Sequence, residues 1–183
     1  GMGNDMAAAL RAGVGQVDAV EIDPRIQSLG LALHPERPYD DPRVNAVVDD
    51  ARSFIQRTDK RYDAIVFGLL DSHTLLSGIA GVRLDSYVYT EEAFASVHQH
   101  LKEGGVVSVT FLTVEPWVEE RLGRILQREF SQDRVKVYRS VLGTTYIAGP
   151  VEEALAQSAG LATWEPDPAL DRSPIPTDDW PYL

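Results

Sequence analysis

The sequence predicts an α/β fold in which helices cover both faces of a mostly parallel β-sheet. Short apolar segments recur along the chain, and amphipathic segments of helical length separate them, which is typical of parallel strands joined by crossover helices. The last two apolar segments have no helix between them. We therefore expect these two strands to pair antiparallel.

The predicted strands lie at residues 17–22, 44–48, 62–67, 106–111, 135–140 and 144–148. The predicted helices lie at residues 4–13, 24–33, 91–102, 115–130 and 151–159, with one more that Asp49 or Asp50 caps and that ends near Thr58. Side-chain oxygens accept hydrogen bonds from free N–H groups at a helix start, proline tolerates the first turn, and glycine ends helices. The residues that mark the other ends are Asn4 or Asp5, Gly13, Pro24, Thr90, Pro116 and the pair Gly104 and Gly105.

The long connections set the expected domain organisation. Residues 34–42 form a loop with three prolines, and residues 69–89 form an irregular stretch of unusual length. From residue 163 onward the sequence is rich in proline and aspartate. We expect one domain over residues 1–162 and an irregular C-terminal tail over residues 163–183.

Composition excludes several classes of function. The net charge of −11 repels phosphate backbones, so we expect no nucleic-acid partner and a small-molecule ligand instead. The alternative is that the charge only aids solubility. The absence of cysteine excludes disulfides and thiolate metal sites. His98 and His100 stand two residues apart on a predicted helix and face different sides, so we expect no metal site.

The start of the chain carries the main functional signal. Residues Gly1 to Asp5 form a glycine turn that opens a helix, and the next strand is followed by the acids Glu21 and Asp23. In nucleotide-binding α/β crossovers the glycines allow close approach of the backbone, and an acid after the next strand binds ribose hydroxyls. Glu21 is the candidate for that acid, with a surface carboxylate as the alternative. Asp23 either assists it or caps the helix at Pro24.

Several strings resemble the spermidine synthase-like branch of the S-adenosylmethionine-dependent methyltransferases: residues 20–24 (VEIDP), 49–52 (DDAR) and 62–67 (YDAIVF). Residues 69–77 (LLDSHTLLS) and 82–90 (VRLDSYVYT) resemble bacterial proteins in which such a domain is attached to membrane-spanning segments. The resemblance implies a Rossmann-like methyltransferase fold with an antiparallel terminal strand. It also implies S-adenosylmethionine or decarboxylated S-adenosylmethionine as the cofactor.

The end of the chain, residues 177–183, resembles the point at which those bacterial proteins re-enter the membrane. We therefore expect a cytoplasmic domain at the membrane face, with transmembrane segments of a longer parent protein as partners. The resemblance also places a first strand before Gly1, between strands 17–22 and 62–67, and this strand is missing from the chain. Direct pairing of the flanking strands, another segment or a partner chain, as in a dimer, would fill that gap. The remaining alternative is that the native protein has further residues upstream of Gly1.

The resemblance also assigns residues to the cofactor. The Asp50 carboxylate would accept the adenine amino group while the Ala51 N–H faces the ring, with helix capping as the alternative for Asp50. Gly1, Gly3 and Asp5 would flank the methionine end, where free helical N–H groups bind a carboxylate and Asp5 holds an amino group. Simple capping is again the alternative for Asp5.

Asp71 is the candidate catalytic residue. In spermidine synthases two aspartates three residues apart follow this strand; the first is the base, and the second helps to hold the diamine. Alignment on Tyr62 and Asp63 puts Gly68 at the first position and Asp71 at the second. Asp71 is therefore either a relocated base for the attacking amine or a loop acid that caps a turn.

His73, Asp85 and Tyr87 lie in the same long loop, and loops of this kind often carry function. We expect them to line the pocket for a small acceptor such as an amine; otherwise they satisfy backbone groups of the loop. The leading hypothesis is a transferase related to polyamine biosynthesis, moving a methyl or an aminopropyl group. The second hypothesis is a catalytically inactive nucleoside-binding or scaffold domain of a membrane protein.

Overall fold

The computed structural model describes residues 1–69, 84–112, 115–131, 134–140, 143–170 and 174–181, and at residues 84 and 85 it describes the backbone only. The chain divides into two compact units, Gly1–Thr58 and Asp59–Leu183. The boundary that we predicted at residue 162 does not coincide with this division and stays a prediction.

The first unit contains two strands and three α-helices. In chain order these are α1 (Asn4–Arg11), β1 (Val17–Glu21), α2 (Pro24–Leu33), β2 (Val44–Val48) and α3 (Ala51–Arg57), with a 3-10 helix at Pro38–Asp40 before β2. β1 and β2 pair in parallel, in a register that runs from Val17 opposite Val44 to Glu21 opposite Val48. The predicted order of helices and strands is confirmed over this unit.

The start of α1 differs from the prediction. Gly3 is the N-cap, with φ of 109°, and no side chain caps the helix. The expectation that Asn4 or Asp5 would be the cap is therefore wrong. Glycine is favoured at this position because a residue with a Cβ rarely adopts a left-handed φ. The turn therefore depends on the backbone conformation of Gly3. The side chains of Asn4 and Asp5 do not cap the helix and can make other contacts.

The second unit contains a mixed five-stranded sheet. Its elements are β3 (Tyr62–Phe67), a 3-10 helix (Leu84–Tyr89), α4 (Glu91–Gln99), β4 (Leu101–Phe111), α5 (Pro116–Phe130), β5 (Val135–Ser140), β6 (Gly143–Ala148), α6 (Glu153–Ser158) and β7 (Ala162–Thr163). The strand order is β3-β4-β6-β5-β7. β3 and β4 are parallel, whereas β6 is antiparallel to both β4 and β5. The predicted antiparallel pairing of the last two long strands is confirmed.

The glycine pair Gly104 and Gly105 has a different role from the one predicted. α4 ends at Gln99, and Gly104 and Gly105 lie inside the long strand β4. The register with β3 shifts here, because Tyr62 lies opposite Leu101 while Ala64 already lies opposite Val106. The glycines therefore form an irregularity in the strand, where backbones approach closely, and do not end the preceding helix.

The core of the second unit lies between the sheet and helices α4 and α5. Its fully buried side chains include Phe94, Val107, Val109, Leu122, Ile125, Leu126, Val135 and Tyr146. The Tyr146 hydroxyl donates to the Glu119 carbonyl at 2.7 Å, so the polar end of this buried ring has an acceptor. A continuous apolar core of this kind holds the strand ends in place.

Several of the described residues that follow β7 contact α5 or the start of α4. Trp164 is buried, and a Cβ on Gly123 of α5 would come within 2.1 Å of its ring. The Asp178 carboxylate accepts a hydrogen bond from Thr90 at the start of α4, at 2.8 Å. The Arg121 guanidinium lies over Trp180, 5.2 Å from the ring centroid. Trp164, Asp178 and Trp180, in the tail that we expected to be irregular, thus make specific contacts within the second unit.

β1 and β3 belong to different sheets. The alternatives that the sequence left open for the strand before Gly1 stay predictions. No helix among the described residues is both long enough and apolar enough to cross a membrane.

Candidate functional site

Acidic side chains gather at one edge of the β1–β2 pair. Glu21 is the last residue of β1, and Asp49 and Asp50 directly follow β2. The Asp49 N–H donates to the Glu21 carbonyl at 3.1 Å, which continues the parallel ladder past Val48. Because both strands run in the same direction, their carboxyl ends share one edge. The predicted cofactor residues Glu21 and Asp50 therefore lie at the same edge of the sheet.

The Glu21 carboxylate is held by neighbouring N–H groups. Oε1 accepts a hydrogen bond from the Asp23 backbone N–H at 2.8 Å, and Oε2 contacts the ammonium group of Gly1. Its side chain is 16% exposed, so the carboxylate is partly shielded from water and still accessible. A carboxylate with a fixed orientation and an open side can accept hydrogen bonds from hydroxyl groups.

Asp23 serves as the N-cap of α2. Its Oδ1 accepts a hydrogen bond from the Arg25 N–H at 2.8 Å, and Pro24 occupies the first turn of the helix. Of the two roles that the sequence left open for Asp23, capping is the one observed in the described contacts. A role in binding the cofactor stays a prediction.

Asp50 is the N-cap of α3, and its Oδ1 accepts a hydrogen bond from the Ser53 N–H at 2.7 Å. Its Oδ2 has no donor among the described residues and can accept a further hydrogen bond. Asp49 forms an ion pair with Arg57, and its Oδ1 accepts from the Asp50 N–H at 2.9 Å. Ala51 is the first residue of α3 and is partly buried. The cap leaves one oxygen of Asp50 for a ligand.

The glycine turn lies against the same edge, because Gly1 contacts Glu21. Gly3 is buried, and Asp5 is exposed in the first turn of α1. The N–H groups of that turn have no intrahelical acceptor, so they can bind an anionic group. The turn and Glu21 thus form the two sides of the candidate cofactor site within the first unit.

Sequence reasoning missed Tyr39, which lies in the 3-10 helix between α2 and β2. Its hydroxyl donates to the Gly1 carbonyl at 2.5 Å. Burial raises the pKa of the Tyr39 phenol, and the negative charge of Glu21 raises it further. The sequence feature that could have indicated Tyr39 is its position as an aromatic hydrogen-bond donor in the proline-rich loop of residues 34–42.

The four candidates for catalysis and acceptor binding lie between residues 71 and 87. Asp71 and His73 lie outside the described residues, and for Asp85 only the backbone is described. Tyr87 is partly buried in the 3-10 helix of the second unit, where its carbonyl accepts from the Thr90 hydroxyl at 3.3 Å. The roles predicted for these four residues stay predictions. Among the described side chains, no group of three or more acids and histidines could hold a metal ion.

The family is shown by a match to the spermine/spermidine synthase domain over residues 9–159. The chain belongs to this family. The match begins within α1 and ends beyond α6, so it includes Glu21, Asp50 and the segment that carries Asp71.

The curated relatives are similar over only part of their length. The polyamine aminopropyltransferase of Korarchaeum cryptofilum is 28% identical over 110 residues, which cover 58% of this chain and 32% of that protein. Polyamine aminopropyltransferase 2 of Pseudomonas aeruginosa is 30% identical over 107 residues, which cover 57% of this chain and 28% of that protein. The aligned part of the chain therefore spans about a third of each relative.

Two solved structures show the same fold. A spermidine synthase in complex with the transition-state analogue AdoDATO superposes with a TM-score of 0.63 at 19% identity, covering 81% of this chain and 51% of that one. Human methyltransferase-like protein 13 in complex with SAH gives a TM-score of 0.60 at 17% identity, covering 90% and 74%. The predicted Rossmann-like methyltransferase fold is confirmed.

Proposed function

We propose that this chain binds an S-adenosylmethionine-type nucleoside and transfers its aminopropyl group to a small amine. The observation that carries the nucleoside site is the shared sheet edge, where Glu21 and Asp50 follow neighbouring parallel strands beside a glycine turn. Ligands of open α/β sheets bind at the carboxyl ends of the strands. The family match and the names of the curated relatives support the aminopropyl group as the one that moves.

The carboxylates fit the polar groups of a nucleoside. Glu21 would accept hydrogen bonds from the two ribose hydroxyls, and the second oxygen of Asp50 would accept one from the adenine amino group. The Ala51 N–H would face the adenine ring. The glycine turn and Asp5 would border the other end of the ligand. The carboxylates are acceptor-only groups that would face donors of the ligand, whereas the Ala51 N–H is a donor that would face an acceptor of the adenine ring.

Decarboxylated S-adenosylmethionine would supply a carbon that is already activated by its bond to a sulfonium. The amine nitrogen forms a bond to this carbon, the carbon–sulfur bond breaks, and methylthioadenosine leaves as the neutral thioether. The amine must lose a proton, and we assign that proton to Asp71. The main contribution of the chain is alignment of the two reactants.

The assignment of Asp71 has a direct test. Asp71→Asn keeps the size of the side chain and removes the basic oxygen, so we expect turnover to fall by about 10²- to 10⁴-fold. The dissociation constant for methylthioadenosine should stay within about twofold of the wild-type value. Normal turnover in this variant would remove Asp71 from the catalytic role.

A ligand panel tests the reaction class. We expect S-adenosylmethionine, its decarboxylated form and methylthioadenosine to raise the melting temperature according to their affinities, because ligands that bind only the folded state stabilise it. The decarboxylated form should be consumed in the presence of diamines. Consumption of S-adenosylmethionine with methylation of an acceptor would replace aminopropyl transfer by methyl transfer.

A second candidate function is nucleoside binding without catalysis. Gly68 stands where the resemblance to spermidine synthases places the base, and this substitution favours the second candidate. Residues 69–77 and 82–90 support attachment of such a domain to membrane segments of a longer protein. Binding of the nucleosides with no turnover across a panel of amines would favour this alternative. The flanking sequence of the native gene would test the membrane attachment.

A further inference from the structure

The loop between α2 and β2 packs against the glycine turn at Gly3. His34 and Pro38 are buried, and both lie against Gly3. A Cβ on Gly3 would come within 3.0 Å of Pro38 Cγ and 3.1 Å of His34 Cδ2. Such contacts are tighter than side chains normally tolerate, so a larger residue than glycine would displace the turn from the loop.

Helix α2 also packs against the glycine turn, at Gly30. A Cβ on Gly30 would come within 2.8 Å of the Met2 carbonyl oxygen and within 2.8 Å of Tyr39 Cε2. The Met2 backbone and the Tyr39 ring therefore both pack against Gly30. Gly30 is buried although neighbouring positions of α2 are exposed. The position of the Tyr39 ring is thus fixed by packing.

Polar contacts tie the loop to both ends of the turn. The Tyr39 hydroxyl donates to the Gly1 carbonyl, as described above. At the other end, His34 Nε2 and Asn4 Oδ1 are 3.2 Å apart. His34 Nδ1 accepts from the Glu36 N–H at 3.1 Å, so in the neutral ring the proton lies on Nε2, which donates to the Asn4 amide oxygen.

We propose that Tyr39 is a positioning residue that holds the glycine turn, through the Gly1 carbonyl, in the conformation that binds the nucleoside. This inference rests on the proposed function, because it concerns the same cofactor site. Glycine residues sample many backbone conformations, and in the one that the structure describes Gly1 contacts Glu21. A hydrogen bond from a fixed ring reduces that freedom before the ligand arrives.

The size of the effect follows from the population of the competent turn. The apparent dissociation constant rises as the competent fraction falls. One neutral hydrogen bond contributes about 0.5–1.5 kcal/mol, which changes the ratio of the competent to the other turn conformations by about two- to tenfold. Tyr39→Phe keeps the ring against Gly30 and removes only the donor. We therefore expect methylthioadenosine to bind more weakly, by up to about tenfold.

The experiment compares Tyr39→Phe with Tyr138→Phe in the full chain. Tyr138 is 47% exposed in β5 and undergoes the same chemical change. Calorimetric titration with methylthioadenosine should show weaker binding for the first variant only. Loss of a hydrogen bond worth about 0.5–1.5 kcal/mol should lower the melting temperature of the free protein by at most about 6 °C. Unchanged affinity in Tyr39→Phe would overturn the proposal, even if the free protein melted earlier.

A second measurement separates this inference from the proposed function. Hydrogen exchange at the Ala7 amide, which donates to the Gly3 carbonyl at 2.9 Å, requires no ligand and should be faster in Tyr39→Phe than in the wild type, by up to about tenfold. If the wild type binds no nucleoside, the proposed function fails, and faster exchange would still show that Tyr39 orders the turn. Equal exchange rates in the two proteins would refute the positioning role by themselves.

Discussion

Asp50 offers a way to separate a structural role from a binding role in one side chain. Its Oδ1 caps α3 through the Ser53 N–H, and its Oδ2 faces no donor among the described residues. Serine caps helices about as well as aspartate but has one oxygen instead of two. Asp50→Ser should therefore keep the cap and lose the acceptor proposed for adenine, whereas Asp50→Ala should lose both.

Loss of the helix cap and loss of the acceptor oxygen change the free energy by different amounts. Loss of the cap costs about 1 kcal/mol, which lowers the melting temperature of a chain of this size by about 2–4 °C. Loss of a hydrogen bond to a charged acceptor costs about 1.5–3 kcal/mol, or about a 10- to 150-fold weaker affinity. We expect Asp50→Ser to melt within about 1 °C of the wild type and to bind methylthioadenosine at least tenfold more weakly.

Thermal unfolding and calorimetric titration measure the two quantities on the same samples. Asp49→Ser is the matched control, because Asp49 lies at the same edge but pairs with Arg57 on the surface. Its affinity for methylthioadenosine should stay within about twofold of the wild-type value. Wild-type affinity in Asp50→Ser would refute the reasoning and reduce Asp50 to a helix cap.

Two further predictions concern the described contacts. Gly123→Ala should destabilise the second unit by about 1–3 kcal/mol, because the new Cβ would lie 2.1 Å from the Trp164 ring. Gly15→Ala is the control, because a Cβ at Gly15 would meet open space. Equal unfolding midpoints in Gly123→Ala and the wild type would show that Trp164 does not pack on α5. Hydrogen bonds from Arg43 lower the pKa of the Asp41 carboxyl to about 2. Carboxyl NMR titration of Arg43→Ala should therefore show this pKa rising toward 3.8, so that Asp41 takes up its proton at a higher pH than in the wild type. An unchanged pKa would contradict the assigned cause.

Most of the fold could be predicted from local sequence patterns. β1, β2 and β3 are short apolar runs in the sequence. The helices between successive strands predict the parallel pairing of β1 with β2 and of β3 with β4. The antiparallel pair β5 and β6 followed from the lack of a helix. These features depend on residues close together in the chain, which is why a single sequence reveals them.

The departures from prediction depend on contacts between distant residues. Gly104 and Gly105 look like a helix end, but they adapt β4 to a change of register with β3. The tail has no periodic pattern, yet Trp164 is buried against α5. No local rule distinguishes such glycines and tryptophans from those in ordinary loops, because their neighbours are set by the tertiary fold.

In the candidate site, too, some residues could be predicted from the sequence and others could not. Glu21 and Asp50 could be placed at one edge because strand order alone determines where parallel strands end. Tyr39 could not be assigned from the sequence, since its role depends on a hydrogen bond to Gly1, 38 residues away. The acceptor side depends on residues 69–90, where the resemblance to known sequences provides the only assignment of Asp71.

The most direct test of the nucleoside site is the affinity of Glu21→Ala for methylthioadenosine, measured by calorimetry against the wild type. Two hydrogen bonds from ribose hydroxyls to one carboxylate predict a loss of about 3 kcal/mol or more, which is over 100-fold in affinity. Glu36→Ala removes an exposed carboxylate of the same unit, paired with Arg11, and should bind as the wild type does. Equal affinity in Glu21→Ala and the wild type would contradict the proposal that this sheet edge binds a nucleoside.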